Sequence, residues 1–133
     1  MKYGDPAVAE RYSHAPYYPE ANFAAVKEMH REVGNLETGK DGVARRGLLV
    51  RHLVLPSGLA GTERIVEFLA EEISKDTYAN IMDQYRPCYR AQHVPPLNRR
   101  ITAREFTDAI RLAKQAGLHR FDKPEPRIPF APW

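Results

Sequence analysis

Apolar positions recur along the chain with two different periods, and the changes of period mark out its elements. In residues 22–33, Phe23, Val26, Met29 and Val33 follow spacings of three and four. That predicts a helix, with Asn22 as its N-cap and Gly34 at its left-handed end. The preceding residues 1–20 are interrupted by Pro6, Pro16 and Pro19 and read as irregular, with one helical turn near 7–12. The polar stretch 35–46, with Gly39 and Gly42, reads as a loop. Residues 47–55 are a nearly continuous apolar run ended by Pro56, the pattern of a strand covered on both faces. One face carries Leu48, Val50, His52 and Val54; the other carries Leu49, Arg51, Leu53 and Leu55. After a turn at 57–61, Thr62 is placed to cap a helix whose stripe is Ile65, Val66, Phe68, Leu69 and Ile73. A second strand is expected over 77–85. Strand, helix and strand together form a βαβ unit, which implies parallel pairing with a right-handed crossover. Residues 86–100 contain Pro87, Pro95 and Pro96 and read as irregular. Thr102 and Glu105 form a capping-box pattern that opens the last helix, with Phe106, Ala109, Ile110 and Ala113 on its buried face and Gly117 at its end. The tail from Lys123 holds four prolines and is expected to run extended.

Two parallel strands cannot make a sheet that buries both its faces, and sheets usually have about five or six strands. The expected fold class is therefore α/β, as part of a larger structure whose other strands come from a further segment or from a partner chain. Composition fits one domain: 133 residues, 43% hydrophobic and 28% charged. No apolar run approaches the ~20 residues of a membrane helix. The first residues lack the apolar core of a secretory signal, so a cytoplasmic location and no membrane partner are expected. A single cysteine, Cys88, excludes an internal disulfide and any set of cysteine metal ligands supplied by this chain alone. The net charge of +3 is too small to imply nucleic acid by itself. Of the 20 cations, 14 are arginine, whose planar fork suits carboxylates and phosphates.

Arg51 sits in the middle of an apolar strand, where an unpaired charge is costly, so an anion or a structural carboxylate is expected to meet it. His52 points the other way and reads as a hydrogen-bonded core residue. Asn80, Met82 and Gln84 share one face of the second strand, which suggests a polar lumen or a strand end approaching solvent. Gln84, Tyr85 and Arg86 lie just past the C-terminal end of that strand, where ligand sites of parallel α/β structures collect. Cys88 reads as an inert thiol. The five histidines show no zinc spacing, and no GxGxxG, Walker or GxSxG motif is present. Arg86, Arg90, Arg99 and Arg100 could grip phosphates, but little besides Tyr85 and Tyr89 accompanies them, so the nucleic-acid signal is weak.

Several long stretches carry a resemblance: Arg-Arg-Gly-Leu-Leu-Val-Arg-His-Leu-Val-Leu-Pro at 45–56, Asn-Ile-Met-Asp-Gln-Tyr-Arg-Pro-Cys-Tyr at 80–89 and Leu-Asn-Arg-Arg-Ile-Thr at 97–102. With Lys-Tyr-Gly-Asp at 2–5 and Arg-Tyr-Ser at 11–13, they resemble the radical SAM family, within it the pyruvate formate-lyase activating enzyme-like group. The resemblance implies the C-terminal part of a partial (β/α)6 barrel over residues 1–122, holding its fifth and sixth strands, with 123–133 as a Pro-rich tail. A complete family protein binds a [4Fe–4S] cluster through CxxxCxxC and S-adenosylmethionine on that cluster, and forms a radical that abstracts hydrogen from a glycyl-radical enzyme or another substrate. The cluster motif is absent here, so neither group is expected to bind stably to this chain alone, and no residue is assigned as catalytic or metal-ligating. The resemblance maps Lys2, beside the methionine moiety, and Arg51, Leu53 and Met82 onto cofactor-contacting positions. Arg51 is also a substrate candidate. Tyr85 falls where related activating enzymes carry His. Gln84 as a cofactor contact and Arg86 as a substrate contact are assigned from location. The expected partners are the missing N-terminal half of the barrel, in the same gene or a companion chain, a protein substrate, and further copies of this chain. Two other readings remain: a small basic module that binds RNA or another polyanion, and a fragment without a function of its own.

Overall fold

The computed structural model describes residues 1–122, so the expected extended tail at 123–133 lies outside the described residues. Helix α1, Pro6–Ser13, lies where one helical turn was expected within an irregular segment, and is longer than that turn. The Asp5 carboxylate caps it by accepting from the amides of Ala7 (2.7 Å) and Val8 (3.3 Å), and Pro6 sits in the first turn, where its missing N–H costs nothing. Helix α2, Tyr18–Val33, begins four residues before the expected Asn22 cap, because Pro19 again starts a helix rather than breaking one. Asn22 is therefore an interior residue, and its buried Oδ1 has no hydrogen-bond partner among the described residues.

The expected loop at 35–46 contains a small antiparallel hairpin, β1 at Glu37–Thr38 and β2 at Ala44–Arg46. Strand β3, Leu49–Leu53, leads through a turn at Pro56–Gly58 into helix α3, Thr62–Phe68. Gly61, not Thr62, is the N-cap of α3, and its last part, Leu69–Ile73, widens into a π-helical turn. Strand β4, Tyr78–Met82, then pairs with β3 in parallel, from Leu49 opposite Tyr78 to Leu53 opposite Met82. The expected parallel βαβ pair is thus present, with both strands shorter than the apolar runs that announced them. Helix α4, Ala103–Ala116, carries the expected capping box and ends at Gly117 with φ 102°. A two-residue strand, β5 at Arg120–Phe121, adds a third parallel member beside β4, and the sheet order is β3-β4-β5. The protein is thus a mixed α/β fold built on a parallel sheet, and no helix among the described residues is long and apolar enough to cross a membrane.

One face of that sheet is the core. Val50, His52, Ala79 and Ile81 are buried there against Val26 of α2, Ile65, Val66 and Phe68 of α3, and Ala109 and Ala113 of α4. Phe23 stacks on Phe68 with ring centroids 4.2 Å apart. Among the described residues the other face is open. Leu49 is 38% exposed and Arg51 exposed, while Leu53, Tyr78, Asn80 and Met82 are only partly covered. The reading of 47–55 as covered on both faces is thereby corrected. Both faces are apolar in sequence, but α2, α3 and α4 all contribute to the single core beneath Val50 and Ile81.

The outer edge of β3 carries one further contact. The Leu53 N–H donates to the Met1 carbonyl at 3.1 Å, and the Met1 amine donates to the Arg51 carbonyl. Donating to one residue and accepting from the residue two further on is the bonding of a parallel bridge, here between Met1 and His52.

Candidate functional site

Alternation along the strands turns Leu49, Arg51 and Leu53 to the open face, opposite Tyr78, Asn80 and Met82. Arg51 is the cation at its centre. Its Nη2 lies 3.0 Å from the Met82 sulfur, and no carboxylate pairs with it among the described residues. The expected buried guanidinium is therefore an exposed one, because nothing described covers its side of the sheet. Arg51 also acts on its neighbour: burial and then its charge push the Met1 amine below its ordinary value.

At the C-terminal end of β3 the open face meets a second apolar cluster of Tyr3, Ala9, Leu55 and Ala60, against which Leu53, Tyr12, Tyr18 and Tyr85 pack. Lys2 stands at its margin with Nζ 5.0 Å from the Tyr3 ring centroid. Tyr3 is 3% exposed, meets Tyr18 edge-on, and its hydroxyl lies 2.9 Å from Ser13 Oγ. The Tyr85 hydroxyl donates to the Leu97 carbonyl at 2.7 Å, and partial burial, Tyr3 and Cys88 raise its pKa. That makes Tyr85 a neutral hydrogen-bond donor holding the loop after β4, not a titrating group.

The structure therefore brings Lys2, Arg51, Leu53, Met82 and Tyr85 to one side of the sheet and its C-terminal end. Gln84 and Arg86 are exposed beyond that end, in the segment leaving β4. Asn80 and Met82 line open surface rather than an enclosed lumen. A depression of about 370 Å³ lies beside the end of β4, lined by Asp83, Arg100, Ile101, Thr102, Ala103, Phe106 and Thr107, and it does not include Arg51. Cys88 is exposed in the loop, and among the described residues no group of three or more His, Cys, Asp or Glu side chains is placed to hold a metal.

His52 faces the core as expected. It is 1% exposed, with Nε2 3.0 Å from Thr62 Oγ1 and Nδ1 3.3 Å from the Met1 carbonyl. Burial lowers its pKa to about 4, so the imidazole is neutral and joins β3 to the start of α3.

The best-connected polar residue here is Glu105, which the sequence marks only as half of a capping box. Its carboxylate accepts from both arms of Arg99 (2.8 and 2.9 Å), from the Thr102 amide (2.7 Å) and from the Ser57 amide (2.7 Å). Arg99 also donates to Ser57 Oγ at 3.1 Å. The loops that follow β3 and β4 are thereby tied to the first turn of α4. Arg99 first, then the backbone donors, hold the Glu105 carboxyl far below the usual carboxylate range. Ser57 lies 48 residues from Glu105, and local spacing carries no trace of such a partner.

Comparison with known proteins finds 32% identity over 119 residues with the uncharacterized protein MJ0674 of Methanocaldococcus jannaschii, covering 89% of this chain and 31% of that protein. The chain thus spans about a third of the length of the curated relative it matches. No family model matches the chain, and no solved structure matches it.

Proposed function

We propose that the chain is the C-terminal part of a radical SAM barrel of the pyruvate formate-lyase activating enzyme-like group, and forms one wall of its S-adenosylmethionine and substrate cleft. The observation that carries this reading is the parallel sheet left open on the face of Arg51 and along the outer edge of β3, where Met1 already pairs in parallel fashion. A barrel needs further parallel strands at such an edge and a lumen at such a face. The longer relative has room for those strands.

The residues present do not fit an iron–sulfur cluster. One exposed thiol, Cys88, stands where three or four thiolates are needed. No step through a cluster is therefore assigned to this chain. Toward S-adenosylmethionine its part is binding. Arg51, with no carboxylate partner among the described residues, offers its fork to a carboxylate of cofactor or substrate, Leu53 and Met82 offer apolar surface for a base, and Lys2 adds a charge at the strand ends. Gln84 and Arg86 would extend the rim.

Anaerobic reconstitution separates the possibilities. This chain alone should take up neither iron nor sulfide in stoichiometric amount. A fusion joining it to the part of the M. jannaschii relative that it does not match should bind a cluster and, once reduced with dithionite, cleave S-adenosylmethionine to 5′-deoxyadenosine. A folded fusion that does neither refutes the reading. A cluster on the present chain alone refutes it equally.

A further inference from the structure

The charge of this protein is concentrated in one place. Residues 84–100 contain four arginines and no acid, leaving 16 cations against 17 acids elsewhere, so the basic character of the whole chain belongs to the loop between β4 and α4. That loop is pinned at its base. Tyr85 bonds the Leu97 carbonyl across it, Leu97 is 8% exposed, and Arg99 is held by Glu105 and Ser57. Between these anchors Tyr89–His93 form a short 3-10 helix with no buried residue. Arg86 and Arg90 are exposed with no carboxylate partner among the described residues. Tyr89 is 81% exposed and is held at φ 52°, a left-handed conformation in which a residue with a side chain is strained. The Arg90 guanidinium lies 5.6 Å from the Tyr89 ring centroid, and Val94 adds exposed apolar surface.

We propose that this loop is a docking surface for an acidic, extended segment of a partner protein, held by the forks of Arg86 and Arg90 with Tyr89 as the apolar contact. The proposal goes beyond the barrel reading and does not depend on it. Tyrosine and arginine are the residues enriched where protein interfaces concentrate their binding energy, and a loop fixed in advance loses little entropy on binding. A peptide is favoured over nucleic acid for two reasons. Arg90 already lies against Tyr89, the one fully exposed aromatic of the loop. A few clustered cations also fall short of the 6–10 phosphate contacts typical of salt-sensitive nucleic-acid binding.

The test is fluorescence anisotropy of the full chain with a labelled peptide rich in Asp and Glu and containing interspersed Leu. Unlabelled peptide and an oligothymidylate of equal charge serve as competitors. Saturable binding is expected. The Arg86→Gln/Arg90→Gln pair should weaken it about tenfold, the loss of two solvent-exposed charge pairs. Tyr89→Ala should weaken it too, and Lys40→Gln/Lys114→Gln, which removes the same charge elsewhere, should leave it unchanged. All five positions are exposed, so circular dichroism should show an unchanged fold. The proposal is overturned if the wild-type chain does not bind, if the Arg86/Arg90 pair binds as well as wild type, or if the lysine control loses as much. Displacement by oligothymidylate more readily than by peptide overturns it in favour of a nucleic-acid surface.

Discussion

Replacing Glu105 by Gln keeps the shape of the side chain and removes its charge and one acceptor oxygen. In wild type each oxygen takes one backbone amide and one arm of Arg99. Whichever oxygen becomes the amide nitrogen, either Ser57 or Thr102 loses its acceptor, and one arm of Arg99 faces another donor. Losing one backbone cap costs about 1 kcal/mol. A charge-assisted bond in a dry site would add roughly 1.5–3 kcal/mol. Arg99 is 42% exposed, so solvent screens its share of that bond. The expected loss at neutral pH is therefore about 2 kcal/mol. The pH dependence identifies its origin. The folded-state pKa of Glu105 is depressed, so its stabilisation is fully present above the unfolded value near 4.5 and disappears as pH falls below it. Urea unfolding of wild type and Glu105→Gln between pH 7 and pH 3 should show a gap that narrows below about pH 4.5. Hydrogen exchange should speed at the Ser57 amide or at the Thr102 amide, whichever then faces the new NH2 group. A variant within ~0.5 kcal/mol of wild type at neutral pH, or a gap undiminished at pH 3, would refute the assignment.

Arg51→Met should change stability by less than about 0.5 kcal/mol in denaturant unfolding, because the guanidinium is exposed beside a methionine sulfur. A loss of roughly 3–5 kcal/mol would instead reveal a buried acid paired with it. The folded-state pKa of His52 is also depressed, from 6.5 to about 4, so its neutral form stabilises the fold above pH 6.5 and that stability is lost on descent toward pH 4. Wild type should lose stability in this window while His52→Gln does not, and equal slopes would sink the idea. The open sheet face and the β3 edge should make the chain self-associate, with sedimentation coefficients rising with concentration, and Leu49→Lys should reduce this. A wild-type monomer at every concentration would mean that the face is covered.

The elements legible in the sequence were those whose signals are local. The helix of Phe106 and Ala109 came from its capping box and spacing, and the parallel pair came from two apolar runs separated by a helical stripe. Spacing alone starts the second helix at Asn22, with Pro16 and Pro19 as breakers, whereas Pro19 lies in its first turn. The hairpin over 37–46 and the strand at Arg120–Phe121 were missed for a shared reason. Each strand is two or three residues long, too short to carry a side-chain period, and β5 in addition pairs with β4, remote from it in sequence.

The face on which each candidate residue lies was legible in the sequence, and what surrounds it was not. Alternation correctly set Arg51 against His52 on opposite faces, since that depends only on the two-residue period of a strand. Burial depends on what covers each face, and no residue of β3 encodes that. Val50 and His52 met helices, while Leu49 and Arg51, equally central in the run, met none. The contrast bears on function. An exposed aliphatic such as Leu49 is ordinary by itself. A strand that repeats aliphatic residues, on a face that no described residue covers, around an arginine with no carboxylate partner among the described residues has the side-chain pattern of a covered strand. The same strand offers backbone bonding to a parallel neighbour at its outer edge. Both features concern the same side of β3, and a single set of additional parallel strands curving over that side would satisfy both.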